Sequence, residues 1–383
     1  MTVTAPYDLA PMAGIALVGA LLALGPVAWV WRHQRGHGAS ARLRALTVLT
    51  LCLTFDLVLF GAFTRLTDSG LGCPDWPGCY GSTSPLGAQA QIGAAQSVLP
   101  DGPVTHGKAW IEMTHRYLAT GVGALIVVLA ALSWAEARRR ALAPSPWWAS
   151  AALAWVCLQG AFGALTVTMK LYPLIVTLHL LGGMILLVLL AVQVPREGLR
   201  LALPRGLYRF AVALAALSAV QIALGGWVST NYAVLACGGD FPACQGSWWP
   251  AMDFEHGFAL LRELGAGKDG GVLPFAALTA IHYVHRLVAY VVLVAMAVFA
   301  WRLYAHRALR PWALGAAAVA LWQLGSGLSN VVLGWPLIGA VAHTAGAAAW
   351  VTLLTLLITR ARHSFAGAAA VHAPGSVKCA LRS

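Results

Sequence analysis

The chain reads as an all-α polytopic membrane protein: two four-helix bundles related by a pseudo-two-fold axis, with one extra transmembrane helix at the N-terminal end. Three observations predict that class. The 383 residues are 59% hydrophobic and only 10% charged, which on a water-soluble domain would leave large apolar patches exposed. Apolar runs of about 20 residues recur along the chain, each long enough to cross a hydrocarbon layer ~30 Å thick. Finally, residues of the first half return in the second at a fixed offset.

The first run, 11–31, is too long for a cleaved signal peptide and has no basic region before it, so it reads as a span. The next runs are 45–64, 117–134, 147–168, 174–194, 207–229, 278–301, 312–333 and 337–358. The segments 32–44, 138–140, 196–209, 302–310 and the tail after Arg360 are basic, whereas 68–108 and 240–269 are mixed or mildly acidic. The positive-inside rule puts the basic group in the cytoplasm and the other group outside, and nine spans with an outer N-terminus satisfy every loop. The formal net charge of +12 is thereby a topology signal, and no nucleic-acid partner is expected. The small, polar tail reads as disordered, and its Cys379 as an unpaired thiol in a reducing compartment.

The repeat sets the domain organisation. Gly61-Ala62-Phe63-Thr64 followed by Cys73 is matched by Gly225-Gly226-Trp227-Val228 followed by Cys237, 164 residues later. Gln159 and His179 match Gln323 and His343 at the same offset, and Pro173 and Pro336 fall within one residue of it. Each proline opens a span, where its fixed φ suits a first helical turn. His115 and His285 differ by 170, a discrepancy that loop lengths absorb. The predicted units are an extra span with a basic linker (1–44), two halves (45–206 and 207–360) and a tail (361–383). An even number of spans per half gives both the same orientation, so the axis runs along the membrane normal.

Four histidines lie inside spans at matched places: His115, His179, His285 and His343. His179 and His343 follow their span-opening prolines by six and seven residues, which puts them about 9–10 Å down the helix from the outer surface. Each half thus offers two imidazoles at similar depth on non-adjacent helices. A bundle holds a flat cofactor in that way, with an axial imidazole from each side and apolar walls. Small residues nearby, Gly182-Gly183 and Gly346, would leave room for a macrocycle. Arg116 and Arg286, each directly after a histidine, are candidates to pair with propionates. A zinc or copper site fits less well, because among thiolates and carboxylates only Glu112 lies at the right depth.

The outer loops carry Cys73-Pro-Asp-Trp-Pro-Gly-Cys79 and Cys237-Gly-Gly-Asp-Phe-Pro-Ala-Cys244. Proline and glycine favour tight loops, and an oxidising exterior makes a disulfide in each the default. A structural staple and a redox-active pair both remain open at this point. Cys52 and Cys157 lie in spans and read as packing residues. Trp76, Trp110, Trp227, Trp248 and Trp249 fit an interfacial belt or a lid.

The run from Gly61 to Cys79, the stretch Glu112-Met-Thr-His-Arg116 and the repeated histidines together resemble the haem A synthase family, over about 45–360. That resemblance implies an eight-helix bundle of two similar halves. It implies oxidation of the C8 methyl of haem O to a formyl group, by successive hydroxylation and loss of water. It also implies that His115 and His179 hold the substrate haem, that His285 and His343 hold a haem b relaying electrons, and that Glu112 is the catalytic carboxylate. Cys73 and Cys79 would be the family's outer-loop pair. The implied setting is the inner membrane of a bacterium, with haem sites near the outer face. A haem O synthase, an electron donor and a second copy of the chain are the candidate protein partners. The chain departs from the family in two respects: the first span is additional, and the cysteine pairs enclose five and six residues, so the two loops need not share geometry.

The halves differ where chemistry would demand it. Glu112 lies one turn from a candidate iron ligand, while its counterpart in the second half is His282. Handling protons, or stabilising positive charge at the oxidised methyl, is a carboxylate's work. Three rivals compete: a di-haem b quinol-oxidising cytochrome, a membrane thiol–disulfide oxidoreductase using the loops, and a transporter suggested by the repeat alone.

Overall fold

A computed structural model of the chain describes residues 10–139, 145–194 and 201–371. Arg140, Arg196 and Cys379 lie outside the described residues. Among the described residues the long elements are all helices: α1 (Ala10–His33), α2 (Ala39–Leu66), α4 (His106–Arg139), α5 (Trp147–Thr168), α6 (Pro173–Gln193), α7 (Arg205–Thr230), α9 (Phe275–Tyr304), α10 (Arg310–Val332) and α11 (Leu337–Val371). Two short outer helices, α3 (Gln89–Val98) and α8 (Phe254–Gly257), sit in the loops before α4 and α9. Eight of the long helices are both long and apolar enough to cross a membrane. The ninth, α10, has 23 residues and so has the length, but Gln323, Ser326 and Ser329 lower its mean hydropathy. The protein is an all-α, multi-pass membrane protein. The last helix runs to Val371, into the segment that composition predicts as a tail.

One boundary moves the chemistry. The apolar run at 117–134 predicts a helix mouth near Glu112, but α4 begins eleven residues earlier, at His106. Thr105 caps it: its Oγ1 accepts the Lys108 N–H at 3.2 Å and its carbonyl accepts the Ala109 N–H at 2.9 Å. Hydropathy misses this turn because Lys108 and Glu112 interrupt the apolar signal. Glu112 and His115 are therefore held by regular helix on both sides, not at a fraying end.

The helices of the two halves pack in corresponding pairs. In the first, α2 packs on α4, α4 on α5, α5 on α6 and α2 on α6. In the second, α7 packs on α9, α9 on α10, α10 on α11 and α7 on α11. The halves meet through α6 with α7, α2 with α11, and α6 with α11. The additional helix α1 lies against α4, where Gly19 is so close to Thr120 that a Cβ would stand 2.5 Å from its Cγ2. Lipid tails are as apolar as leucine, so close approach at small residues has to supply such contacts.

Each half has a dry apolar plug toward its basic end. Leu46, Leu125, Leu129, Leu187 and Leu190 fill the first, and Leu214, Met296, Phe299, Trp350 and Leu357 the second. The histidines lie on the other side of these plugs. Two corrections concern outward-facing residues: Cys52 and Cys157 are exposed on the outside of the helices and do not pack inside. A small thiol costs little against hydrocarbon, so burial in lipid serves it as well as burial in protein. Trp227, expected in a belt or a lid, is not in a belt: it is 4% exposed and donates to the Gly257 carbonyl of the outer loop at 2.9 Å, whereas Trp248 and Trp249 do face outward.

Candidate functional site

In the first half α4 brings His115 and α6 brings His179 near enough for the two imidazoles to interact electrostatically. In the second, α9 and α11 do the same with His285 and His343. The other two helices of each half contribute glycines. A Cβ on Gly61 of α2 would stand 3.1 Å from His115 Cε1, and one on Gly163 of α5 3.6 Å from His179 Cε1. A Cβ on Gly225 of α7 would stand 3.0 Å from His285 Cε1, and one on Gly327 of α10 3.3 Å from His343 Cε1. Gly61 and Gly225 are 164 residues apart, as are Gly163 and Gly327. Every helix of each half therefore supplies either an imidazole or the glycine that makes room for one.

This arrangement fits a haem. The donor set is two imidazoles per half, the pattern of bis-histidine ligation. The Nδ1 atoms of His115 and His179 are buried without a hydrogen-bond partner. Phe60 lies parallel to the His115 ring, with centroids 6.2 Å apart. Among the described residues no group of three or more His, Cys, Asp or Glu is placed to hold a bare ion.

Glu112 is 4% exposed and lies one turn before His115 on the same helix. One oxygen accepts the Cys73 backbone N–H at 2.7 Å, and the other pairs with the Arg116 guanidinium. Arg116 reaches on to the carbonyls of Asp75 at 3.0 Å, Pro77 at 3.1 Å and Gly78. Asp75 in turn accepts the Tyr80 and Gly81 N–H groups at 2.6 and 2.7 Å. The carboxylate is thus wired to the disulfide loop: Cys73 and Cys79 are bonded, and Cys73 Sγ lies 3.9 Å from the Ala109 carbonyl.

The second loop repeats this construction despite its extra residue. Cys237 and Cys244 are bonded, and Arg286 donates to the Asp240 and Ala243 carbonyls at 2.6 Å each. Asp240 accepts the Gly246 N–H at 2.6 Å. Cys79 pairs with Ser82 as Cys244 does with Ser247, and both loops turn through positive φ, at Tyr80-Gly81 and Gln245-Gly246. The group under the arginine differs. His282 Nδ1 donates to the Ala233 carbonyl at 2.9 Å, and its Nε2 faces Arg286 Nη2 at 3.4 Å. Glu112 can take up or release a proton at either oxygen, while His282 is fixed as a neutral donor to the backbone. Arg116 and Arg286, the propionate candidates, each hold the loop of their own half through a terminal guanidinium nitrogen, while Arg286 Nε is buried without a partner.

Several contributors were not singled out from the sequence. Gly163 and Gly327 were legible in principle, since they obey the same offset as the histidines they face. Gln221, 3.0 Å from His285 Nδ1, and Ser326, 3.0 Å from His343 Nδ1, have no counterpart, because Leu57 and Phe162 stand at the equivalent positions. Asp56, a carboxylate in the middle of α2, faces outward and was hidden within an apolar run.

The COX15-CtaA family, described as cytochrome oxidase assembly protein, matches residues 44–356, which takes in all four histidines and leaves α1 outside. A haem A synthase of Shewanella oneidensis is 38% identical over 321 residues, covering 82% of this chain and 95% of that protein. One from Caulobacter vibrioides is 30% identical, covering 82% of this chain and 94% of that protein. One from Alkalihalophilus pseudofirmus is 28% identical, covering 84% and 99%.

Proposed function

The chain belongs to the COX15-CtaA family of cytochrome oxidase assembly proteins, the haem A synthase family, and its function is haem A synthesis; from that premise we propose how its residues divide the work. The substrate is haem O, and the reaction oxidises its C8 methyl to a formyl group by successive hydroxylation and loss of water. The first half, 45–206, seats the substrate between His115 and His179. The second half, 207–360, seats a resident haem b between His285 and His343.

The observation that carries this division is the difference under the two arginines. Both halves have the imidazole pair, the glycines and the arginine-held loop, but only the first has a buried carboxylate, Glu112, one turn from an imidazole. A resident haem b supplies one-electron transfer. The protein's own part is positioning and charge. The glycines set where the imidazoles stand, and the disulfide loop closes over α4 and excludes water. Glu112, with Arg116 and the Cys73 N–H fixing its two oxygens, holds negative charge beside the substrate and exchanges a proton there.

The setting supported by the basic loops is a bacterial inner membrane with both sites toward the outer face. A haem O synthase to deliver substrate and an electron donor are the implied partners.

Glu112→Gln tests the assignment. The variant should retain both haems by pyridine haemochrome analysis, while haem A formation falls by roughly 10²–10⁴-fold, the range for a lost acid–base group. Normal haem A formation by that protein would overturn the role of Glu112.

A further inference from the structure

The two halves differ in how their histidines are held from behind. His343 Nδ1 lies 3.0 Å from Ser326 Oγ, and the same Oγ is 2.7 Å from the Trp322 carbonyl one turn earlier on α10. A hydroxyl has one proton. The carbonyl can only accept, so Ser326 donates to Trp322 and must accept from His343. The proton of His343 therefore sits on Nδ1, and the lone pair on Nε2 is free.

Nothing comparable stands in the first half. The equivalent of Ser326 is Phe162, and His179 Nδ1 is buried with no hydrogen-bond partner. The helix backbones approach the two rings alike, since a Cβ on Gly163 or Gly327 would meet Cε1 first, at 3.6 and 3.3 Å. A second pair shows the same bias: Gln323 Nε2 donates to the His343 carbonyl at 3.0 Å, whereas Gln159 Nε2 is buried without a partner. At His285 the Gln221 Nε2 lies 3.0 Å from Nδ1 and donates to the His285 carbonyl at 3.2 Å, with its own Oε1 unpartnered. Rotation of that amide would put the oxygen on a ring N–H but give up the bond to the carbonyl, so Ser326 is the partner that assigns a tautomer. The position equivalent to Gln221 is Leu57, and His115 Nδ1 too is unpartnered.

We infer that Ser326 is a positioning residue: it locks His343 in the tautomer whose Nε2 can ligate iron, and Phe162 at the equivalent place leaves His179 unlocked. A hydrogen bond to the far ring nitrogen fixes orientation and raises ligand basicity, and losing such a partner typically lowers metal affinity 10–100-fold. The locked half keeps its haem. The unlocked half can let one go, as a site must when substrate enters and product leaves. This inference rests on the reading that His343 ligates haem.

The test uses purified full-length protein. Ser326→Ala should release haem from the second half roughly 10–100-fold faster on detergent washing. The midpoint potential of the remaining haem should rise, because a less basic imidazole stabilises the ferric state less. Ser326→Thr, which keeps the hydroxyl, should restore both. Phe162→Ser should slow haem release from the first half. Unchanged release and potential in Ser326→Ala would overturn the inference. His343→Ala separates the two levels: if it still carries both haems, the ligand reading itself is wrong.

Discussion

The hydroxyl of Tyr232 donates to Asp68 Oδ1 at 2.8 Å, and these two residues occupy the same position of the repeat, 164 residues apart. Arg65 and Ser229 are likewise equivalent, and Arg65 Nη2 donates to the Ser229 carbonyl at 2.6 Å. Equivalent positions can meet only where a two-fold relation brings them together, so the outer ends of α2 and α7 lie beside the axis. The Arg65 guanidinium also covers the Tyr232 ring, 4.2 Å from its centroid.

The placement of Tyr232 beside Asp68 predicts a titration. Burial, the largest cause, pushes the Tyr232 phenol above its usual range, and Arg65 opposes the shift. A raised value in the folded state means that the neutral hydroxyl stabilises fully below the unfolded pKa of about 10, and that this is lost as pH rises through the folded value. The difference in tyrosinate absorbance between the unsubstituted protein and Tyr232→Phe should show one late-ionising phenol. An ordinary titration for that residue would contradict its desolvated placement against Asp68.

The glycines beside the imidazoles predict half-selective haem loss. Gly61→Val should crowd His115, and Gly225→Val should crowd His285. Overpacking of about 1–3 kcal/mol corresponds to roughly a 5- to 140-fold loss of haem affinity in the crowded half alone. Haem stoichiometry with separate spectral assignment of the two sites checks this.

The Glu112–Arg116 pair predicts strong coupling. Arg116→Ala leaves a buried carboxylate without its countercharge and frees three loop carbonyls, so a loss of about 3–5 kcal/mol is expected. Adding Glu112→Gln to Arg116→Ala should recover part of it, because the orphaned charge is then gone. Thermal melts of the four proteins measure the coupling, and additive losses would show that the pair does not act as a unit.

The disulfides predict similar stability costs and different functional ones. Removing either pair should cost about 2 kcal/mol by loop-closure entropy. Cys73→Ser with Cys79→Ser also loosens the N–H that fixes Glu112, and haem A formation should fall with it. Cys237→Ser with Cys244→Ser leaves the Glu112 contacts in place and should change the rate less. Equal losses of rate from the two pairs would detach the first loop from the chemistry.

Much of this was legible in the residues because a membrane and a repeat both constrain sequence strongly. Hydrocarbon admits only closed backbone hydrogen bonding, so apolar run length reports helices, and two copies of one plan expose His115, His179, His285 and His343 by their spacing. The start of α4 was not legible, because Lys108 and Glu112 break the apolar signal while Thr105 and the helix backbone carry the structure on. Nor was the fate of Arg116 and Arg286. Position beside a histidine does not reveal that a guanidinium also holds a loop, because that depends on where the loop folds.

By itself the sequence determined the class, the pairing of the halves, the four imidazoles and the single carboxylate among them. The tertiary structure alone decided what stands behind and beside those groups. Gly61, Gly163, Gly225 and Gly327 make room, Ser326 and Gln221 reach one pair of rings, and the disulfide loop is tied to Glu112 through Cys73 and Arg116. The physical reason is that helix periodicity fixes a residue's face from local spacing. A hydrogen-bond partner or an absent Cβ across a helix interface depends on how two distant segments are turned toward each other.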